Sequence, residues 1–148
     1  MQQHYSKEKW AEKEELLRRT IKQVLKCDVT LPNPLAPVEL PPADCLLSNL
    51  CLETACKDQP AFCSALRNIS TLLKPGGHLV LFSMLEDNFY MVGQRRFFCL
   101  SLERKFLKEA VVQAGFDIKW LKETQFSIPL PTTDAKGVCA TVAQKCLC

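Results

Sequence analysis

The chain has 148 residues, enough for about one domain, and with 47% apolar and 24% charged residues it has the material for a packed core. Its net charge of +3 is too mild for a nucleic-acid binder, and no basic face with interleaved aromatics stands out. No run approaches the roughly 18 uninterrupted apolar residues of a membrane helix, so a cytoplasmic protein without membrane contact is expected.

The first ten residues, Met1 to Trp10, are charged and lack the apolar stretch of a secretory signal. Residues 7–26 read as a helix. Trp10, Leu17, Ile21, Val24 and Leu25 share one face at helical spacing, and Glu14 with Arg18 and Glu15 with Arg19 make i,i+4 pairs on the other. Cys27-Asp28-Val29-Thr30 is a short strand or turn. Five prolines between residues 31 and 43 predict an extended loop.

Asp44 to Leu50 is a short apolar run bounded by turn signals, suited to a strand buried on both faces. Residues 59–73 predict a helix with Phe62, Ala65, Leu66, Ile69, Leu72 and Leu73 as its buried stripe. Asp58 fits its N-cap and Pro60 its first turn. Lys74-Pro75-Gly76-Gly77 ends it, since proline cannot continue a helix and glycine accepts positive φ. His78 to Met84 is a second continuous apolar strand, so residues 44–84 read as a βαβ unit with parallel strands. An aromatic-rich loop is expected over 85–100. A helix over 102–114 follows, with Ser101 as N-cap and Gly115 as terminator. Residues 116–120 alternate as a half-exposed strand, and 137–145 read as a last strand. The order from residue 44 is β-α-β-α-β-β.

Nine cysteines are many, but they form no C-x-x-C pair and only two histidines accompany them. The ligand spacing of a zinc site is missing. Cysteines among apolar residues, such as Cys45, Cys51, Cys63 and Cys139, read as small buried hydrophobes. No metal is expected.

Several strings carry a resemblance. "VLKCDVT" (Val24–Thr30), "LPPADCLLSNLCLETAC" (Leu40–Cys56), "ALRNISTLLKPGGHLVL" (Ala65–Leu81) and "YMVG" (Tyr90–Gly93) resemble the nicotinamide, indolethylamine and phenylethanolamine N-methyltransferases, the first two more closely. These are class I S-adenosylmethionine-dependent methyltransferases. The resemblance implies a Rossmann-like α/β fold of seven strands with helices on both faces. This chain would supply its C-terminal part, with residues 1–26 as a charged N-terminal helix and 27–148 as a partial methyltransferase domain.

The resemblance also implies a cofactor, S-adenosyl-L-methionine, and a small-molecule amine or pyridine acceptor. Matched residue by residue, Asp28, Val29 and Asn49 would touch the cofactor. Glu53, Ser83, Tyr90 and Cys99 would line the acceptor side. Ser83 stands where nicotinamide enzymes carry aspartate; it can donate and accept a hydrogen bond but holds no charge. No general base is identified, because a neutral nitrogen is already nucleophilic. No G-x-G sequence occurs, and Gly76-Gly77 follows a helix instead of opening one. The first strands and the glycine-rich loop of the family are therefore not in this sequence. Two expectations follow: an N-methyltransferase by family, or a catalytically silent truncated form that pairs with a full-length relative through a bare strand edge at residues 44–50 or is unstable.

Overall fold

The computed structural model describes residues 9–147. Four helices and six strands follow one another as α1 (Trp10–Thr20), β1 (Ala43–Asn49), α2 (Leu52–Ala55), α3 (Gln59–Ser70), β2 (Leu73–Leu85), β3 (Phe89–Val92), β4 (Arg95–Phe98), α4 (Arg104–Gln113), β5 (Phe116–Gln125) and β6 (Gly137–Lys145). The main sheet has the order β1-β2-β6-β5. β1 runs parallel to β2, while β6 is antiparallel to β2 and β5.

The parallel pair joined by α3 is the βαβ unit that the sequence predicts. Asp58 caps α3 by accepting the Ala61 N–H at 2.8 Å, and Pro60 sits in the first turn. Phe62, Ala65, Leu66 and Ile69 face inward from α3, and Leu107, Ala110 and Val111 from α4. They meet Leu79, Leu81 and Leu85 of β2 and Cys139 and Ala143 of β6, forming the core on one face of the sheet. Gly115, at φ 92°, ends α4 in the left-handed conformation that favours glycine.

The Lys74–Gly77 segment is not a simple helix stop. Ala43 pairs with Leu73, and Cys45 with His78, so one residue of β1 faces four of β2 in a wide bulge. Gly77 makes this possible: a Cβ there would lie 2.9 Å from the Lys74 carbonyl oxygen and 3.1 Å from that of Asp44.

Several expectations are corrected. Helix α1 ends at Thr20, and residues 7 and 8 of the expected 7–26 span lie outside the described residues. Its two ion pairs form, Glu15–Arg19 at 3.6 Å and Glu14–Arg18. Among the described residues, however, its apolar stripe is barely covered: Trp10, Leu17, Ile21 and Val24 are exposed and Leu25 is half-buried. Amphipathic spacing needs a partner surface, and α1 buries no residue. Of the two forms open to residues 27–30, the turn is the one found, at Val29 and Thr30. Helix α3 ends at Ser70, because β2 already begins at Leu73.

Strand β1 is an edge strand and is largely exposed, not buried on both faces; Leu47 is 65% exposed. The expected loop 85–100 contains the hairpin β3–β4, which turns at Gly93 with φ 60°. Helix α4 starts at Arg104 after Glu103, so Ser101 is not its cap. Strand β5 runs on to Gln125. The short α2 and the hairpin extend the expected β-α-β-α-β-β order.

One consequence of β1's position spans the sheet. Leu47 pairs with Val80, Val80 with Val142, and Val142 with Trp120. These four residues make an apolar row across all four strands, on the face opposite α3 and α4. Trp120 is 50% exposed, and Val80 and Val142 are half-buried. No helix among the described residues is long and apolar enough to cross a membrane.

Candidate functional site

In sheets of this kind ligands sit outside the carboxyl ends of the parallel strands. A pocket of about 310 Å³ opens there. Leu50 follows β1, Met84 is the next-to-last residue of β2, and both line it. Leu50 has φ 53°, a left-handed turn that swings the chain from β1 into α2. That turn brings Glu53 under the pocket, where it is 1% exposed. Its Oε1 accepts the Met84 N–H at 3.0 Å, and its Oε2 has no partner.

The opposite wall comes from the segment between β2 and α4. Asp87 follows β2 and is also 1% exposed, with Oδ1 unpartnered. Tyr90 on β3 stacks on Phe97 of β4, with ring centroids 5.3 Å apart and planes at 17°. Cys99, just past β4, is buried beside Asp87. Thr132 and Thr133 complete the wall, with the Met91 N–H donating to the Thr132 carbonyl at 2.7 Å.

Two buried carboxyl groups line this pocket, and both hold protons more tightly than usual. Burial pushes the Glu53 carboxyl up, hydrogen bonds from its own and the Met84 backbone oppose this, and the nearby Asp87 charge adds to the rise. Asp87 is also pushed up, chiefly by burial, with the Cys99 thiol pulling the other way through a hydrogen bond. Burial raises the Cys99 thiol far above its usual range, and its hydrogen bond to Asp87 raises it further. This thiol is no nucleophile. Glu53 and Asp87 thus bring two acids to a pocket whose lining also includes the Tyr90 and Met84 side chains.

A sequence model of the NNMT/PNMT/TEMT family matches residues 2–146. The chain belongs to this family. It is 51% identical over 137 residues to indolethylamine N-methyltransferase of Oryctolagus cuniculus, covering 93% of this chain and 52% of that protein. It is 48% identical over 137 residues to nicotinamide N-methyltransferase of Homo sapiens, with the same coverage. The chain thus spans about half the length of these curated relatives. Among solved structures, Burkholderia thailandensis 1,6-didemethyltoxoflavin-N1-methyltransferase, with bound 1,6-didemethyltoxoflavin and S-adenosylhomocysteine, matches with a TM-score of 0.58. The match is 20% identical and covers 91% of this chain and 56% of that one. At that identity the likeness shows the fold, the α/β architecture of class I methyltransferases, of which this chain forms a C-terminal part.

Of the residues that the sequence singles out in this NNMT/PNMT/TEMT family chain, Glu53, Tyr90 and Cys99 share the pocket. Ser83 does not line it. It is fully buried within β2 opposite Cys139, with its hydroxyl unpartnered. Asp28, Val29 and Asn49 also lie off the pocket. The Asp28 Oδ1 accepts from the Thr30 N–H at 3.0 Å and the Thr30 hydroxyl at 2.6 Å, which holds its carboxyl below the usual range. Val29 is buried in the core, and its carbonyl accepts from Asn68 Nδ2 at 2.9 Å, tying the turn to α3. Asn49 is exposed at the end of β1. Asp87, Thr132 and Thr133 are pocket residues that the sequence reading missed. An aspartate just past an apolar strand reads like any turn residue, and the threonines sit in a polar loop without periodicity.

Proposed function

We propose that this chain forms the acceptor-binding wall of an S-adenosylmethionine-dependent N-methyltransferase for small amines, working in the cytoplasm. The observation that carries this reading is the pair of buried carboxyls, each with an oxygen lacking a partner, on the two sides of one pocket. Such oxygens are costly to bury unless something donates to them, and an amine bears both the protons and the charge. A pyridine acceptor such as nicotinamide offers the two acids only the neutral N–H groups of its carboxamide, without a charge. The volume is at the low end of small-molecule sites, room for one ring system with a short side chain. Eight free cysteines among the described residues suit a reducing compartment.

The residues present offer the cofactor a partial fit. The second carboxylate oxygen of Asp28 and the Asn49 side chain make no hydrogen bond among the described residues and could meet hydroxyl or amine groups of an adenosyl moiety. When bound, S-adenosylmethionine supplies a methyl group on a sulfonium sulfur. Glu53 and Asp87 would hold the amine, and one of them would take its proton, because only the neutral nitrogen carries a lone pair able to accept a methyl group. The Tyr90–Phe97 stack and Met84 keep the pocket apolar and fix the ring's direction, which an in-line displacement requires.

Calorimetric titration of the monodisperse chain tests this. Tryptamine is expected to bind at least about tenfold more tightly than nicotinamide, the gain of one charge-assisted hydrogen bond. S-adenosylhomocysteine is expected to bind weakly. No tryptamine binding by a monodisperse chain would remove the amine reading.

A second reading is favoured by a different observation. The free edge of β1 and the apolar row Leu47–Val80–Val142–Trp120 are what a strand and covering helices of a full-length family member could dock against. In this reading the chain is silent alone. Sedimentation with a full-length indolethylamine N-methyltransferase should then give one complex, and two independent boundaries would exclude it.

A further inference from the structure

The geometry points to Asp134 as a positioning residue whose carboxylate clasps the base of the β3–β4 hairpin and so sets the wall of the pocket that carries Asp87, Tyr90 and Cys99. The inference builds on the amine-pocket reading but has its own observables.

Residues 132–136 run antiparallel beside 85–91. The Lys136 N–H donates to the Leu85 carbonyl at 3.0 Å, Tyr90 bridges to Thr133, and the Met91 N–H donates to the Thr132 carbonyl. Between these backbone links, at Asn88 and Phe89, the ladder has no carbonyl to offer. Asp134 fills the gap. Its Oδ1 accepts the Asn88 N–H at 2.8 Å and the Phe89 N–H at 3.2 Å, and its Oδ2 accepts Asn88 Nδ2 at 3.0 Å. One side chain thus does the work of two strand carbonyls.

Asn88 is the knot of the pocket wall. Its carbonyl accepts the Cys99 N–H at 3.0 Å, and Asp87 precedes it directly. On the other side, the Glu86 N–H donates to the Leu102 carbonyl at 2.9 Å, and Glu86 itself has φ 54°. The stretch 86–89 is therefore held from both ends in a conformation it would not adopt unaided. Releasing Asn88 from Asp134 lets Asp87 and Cys99 move together, without touching the α3–α4 core on which the fold rests. Asp134 is itself exposed, so its replacement creates no cavity.

The test compares the full chain with Asp134→Ala and Asp134→Asn by iodoacetamide labelling, read by mass spectrometry at Cys99 and at Cys139. Both cysteines are buried, and labelling of each reports the opening around it. Asp134→Ala is expected to speed labelling at Cys99 by about tenfold or more while leaving Cys139 unchanged. Asp134→Asn, which keeps an acceptor oxygen, is expected to restore part of the protection. Amide exchange at Asn88 and Phe89 should follow the same order, and tryptamine affinity should fall about tenfold in Asp134→Ala.

Equal rises in the two variants would trace to the lost charge beside the thiol and overturn the clasp. Equal rises at Cys99 and Cys139 would make Asp134 a support of the whole fold, and overturn it as well. Loosened amides with unchanged tryptamine affinity would separate the clasp from the pocket and remove the positioning role. If the unmodified chain does not bind tryptamine, the amine reading fails, while labelling and amide exchange still decide the clasp.

Discussion

Replacing Phe62 by alanine is expected to lower the unfolding free energy by about 3–5 kcal/mol, the largest effect of any single change considered. Phe62 lies in α3 with no exposed surface. Its ring meets Phe106 of α4 at a centroid distance of 5.8 Å, with the planes tilted by 55°, within the range of favourable aromatic pairs. The residue therefore fills the seam between the two helices and the sheet beneath. Rigid helices packed over β2 and β6 cannot close onto the vacated space, so both the transfer term and the cavity term apply. Against a typical total of about 5–15 kcal/mol, such a loss approaches the limit of folding. Denaturant titration checks it: the midpoint should fall sharply with the slope unchanged. A loss below about 1 kcal/mol would mean that the α3–α4 layer relaxes into the space.

The second large effect has opposite signs for stability and for binding. Glu53→Gln is expected to raise stability at pH 7 by about 1–2 kcal/mol and to weaken tryptamine binding at least about tenfold. Burial and the Asp87 charge raise the Glu53 carboxyl in the folded chain. Its contribution to stability is therefore fully present below the unfolded value near pH ~4 and is lost as pH rises through the raised folded value. Glutamine keeps the acceptor for the Met84 N–H but carries no charge to desolvate. The melting temperature of the variant should exceed that of the parent by about 2–6 °C at neutral pH. The gap should narrow as the pH falls toward ~4. A variant less stable than its parent at pH 7, or one that binds tryptamine equally well, would show that Glu53 is an ordinary structural acid.

Much of the scaffold is legible in the residues. Asp58 and Pro60 announce the start of α3, Gly115 the end of α4, and the apolar run after Gly77 the central strand. These signals are local, and the physics that sets them acts within one turn or one strand. What escapes is set by distant neighbours. The run Asp44–Leu50 reads as doubly buried because hydropathy reports what a strand could bury, not what lies beside it. The stripe on α1 misleads in the same way. The β3–β4 hairpin is hidden because its two strands have four residues each, its aromatics do not alternate with polar residues, and Gly93 is the single turn signal. The site divides along the same line. Glu53, Tyr90 and Cys99 come from family resemblance, and Asp87 and Asp134 from coordinates alone. No periodicity in the sequence says that a residue at 134 will stand in for strand carbonyls at 88 and 89.

The apolar row from Leu47 to Trp120 also shapes the thermal behaviour of the chain. The heat-capacity increment of unfolding arises from apolar surface newly exposed to water. Leu47 and Trp120 are already wet in the native state, so their share of that increment is small. The stability curve of the isolated chain is correspondingly flatter against temperature than that of a domain this size with both sheet faces covered. Anything that comes to cover the row would add its own negative heat-capacity change and make the curve steeper.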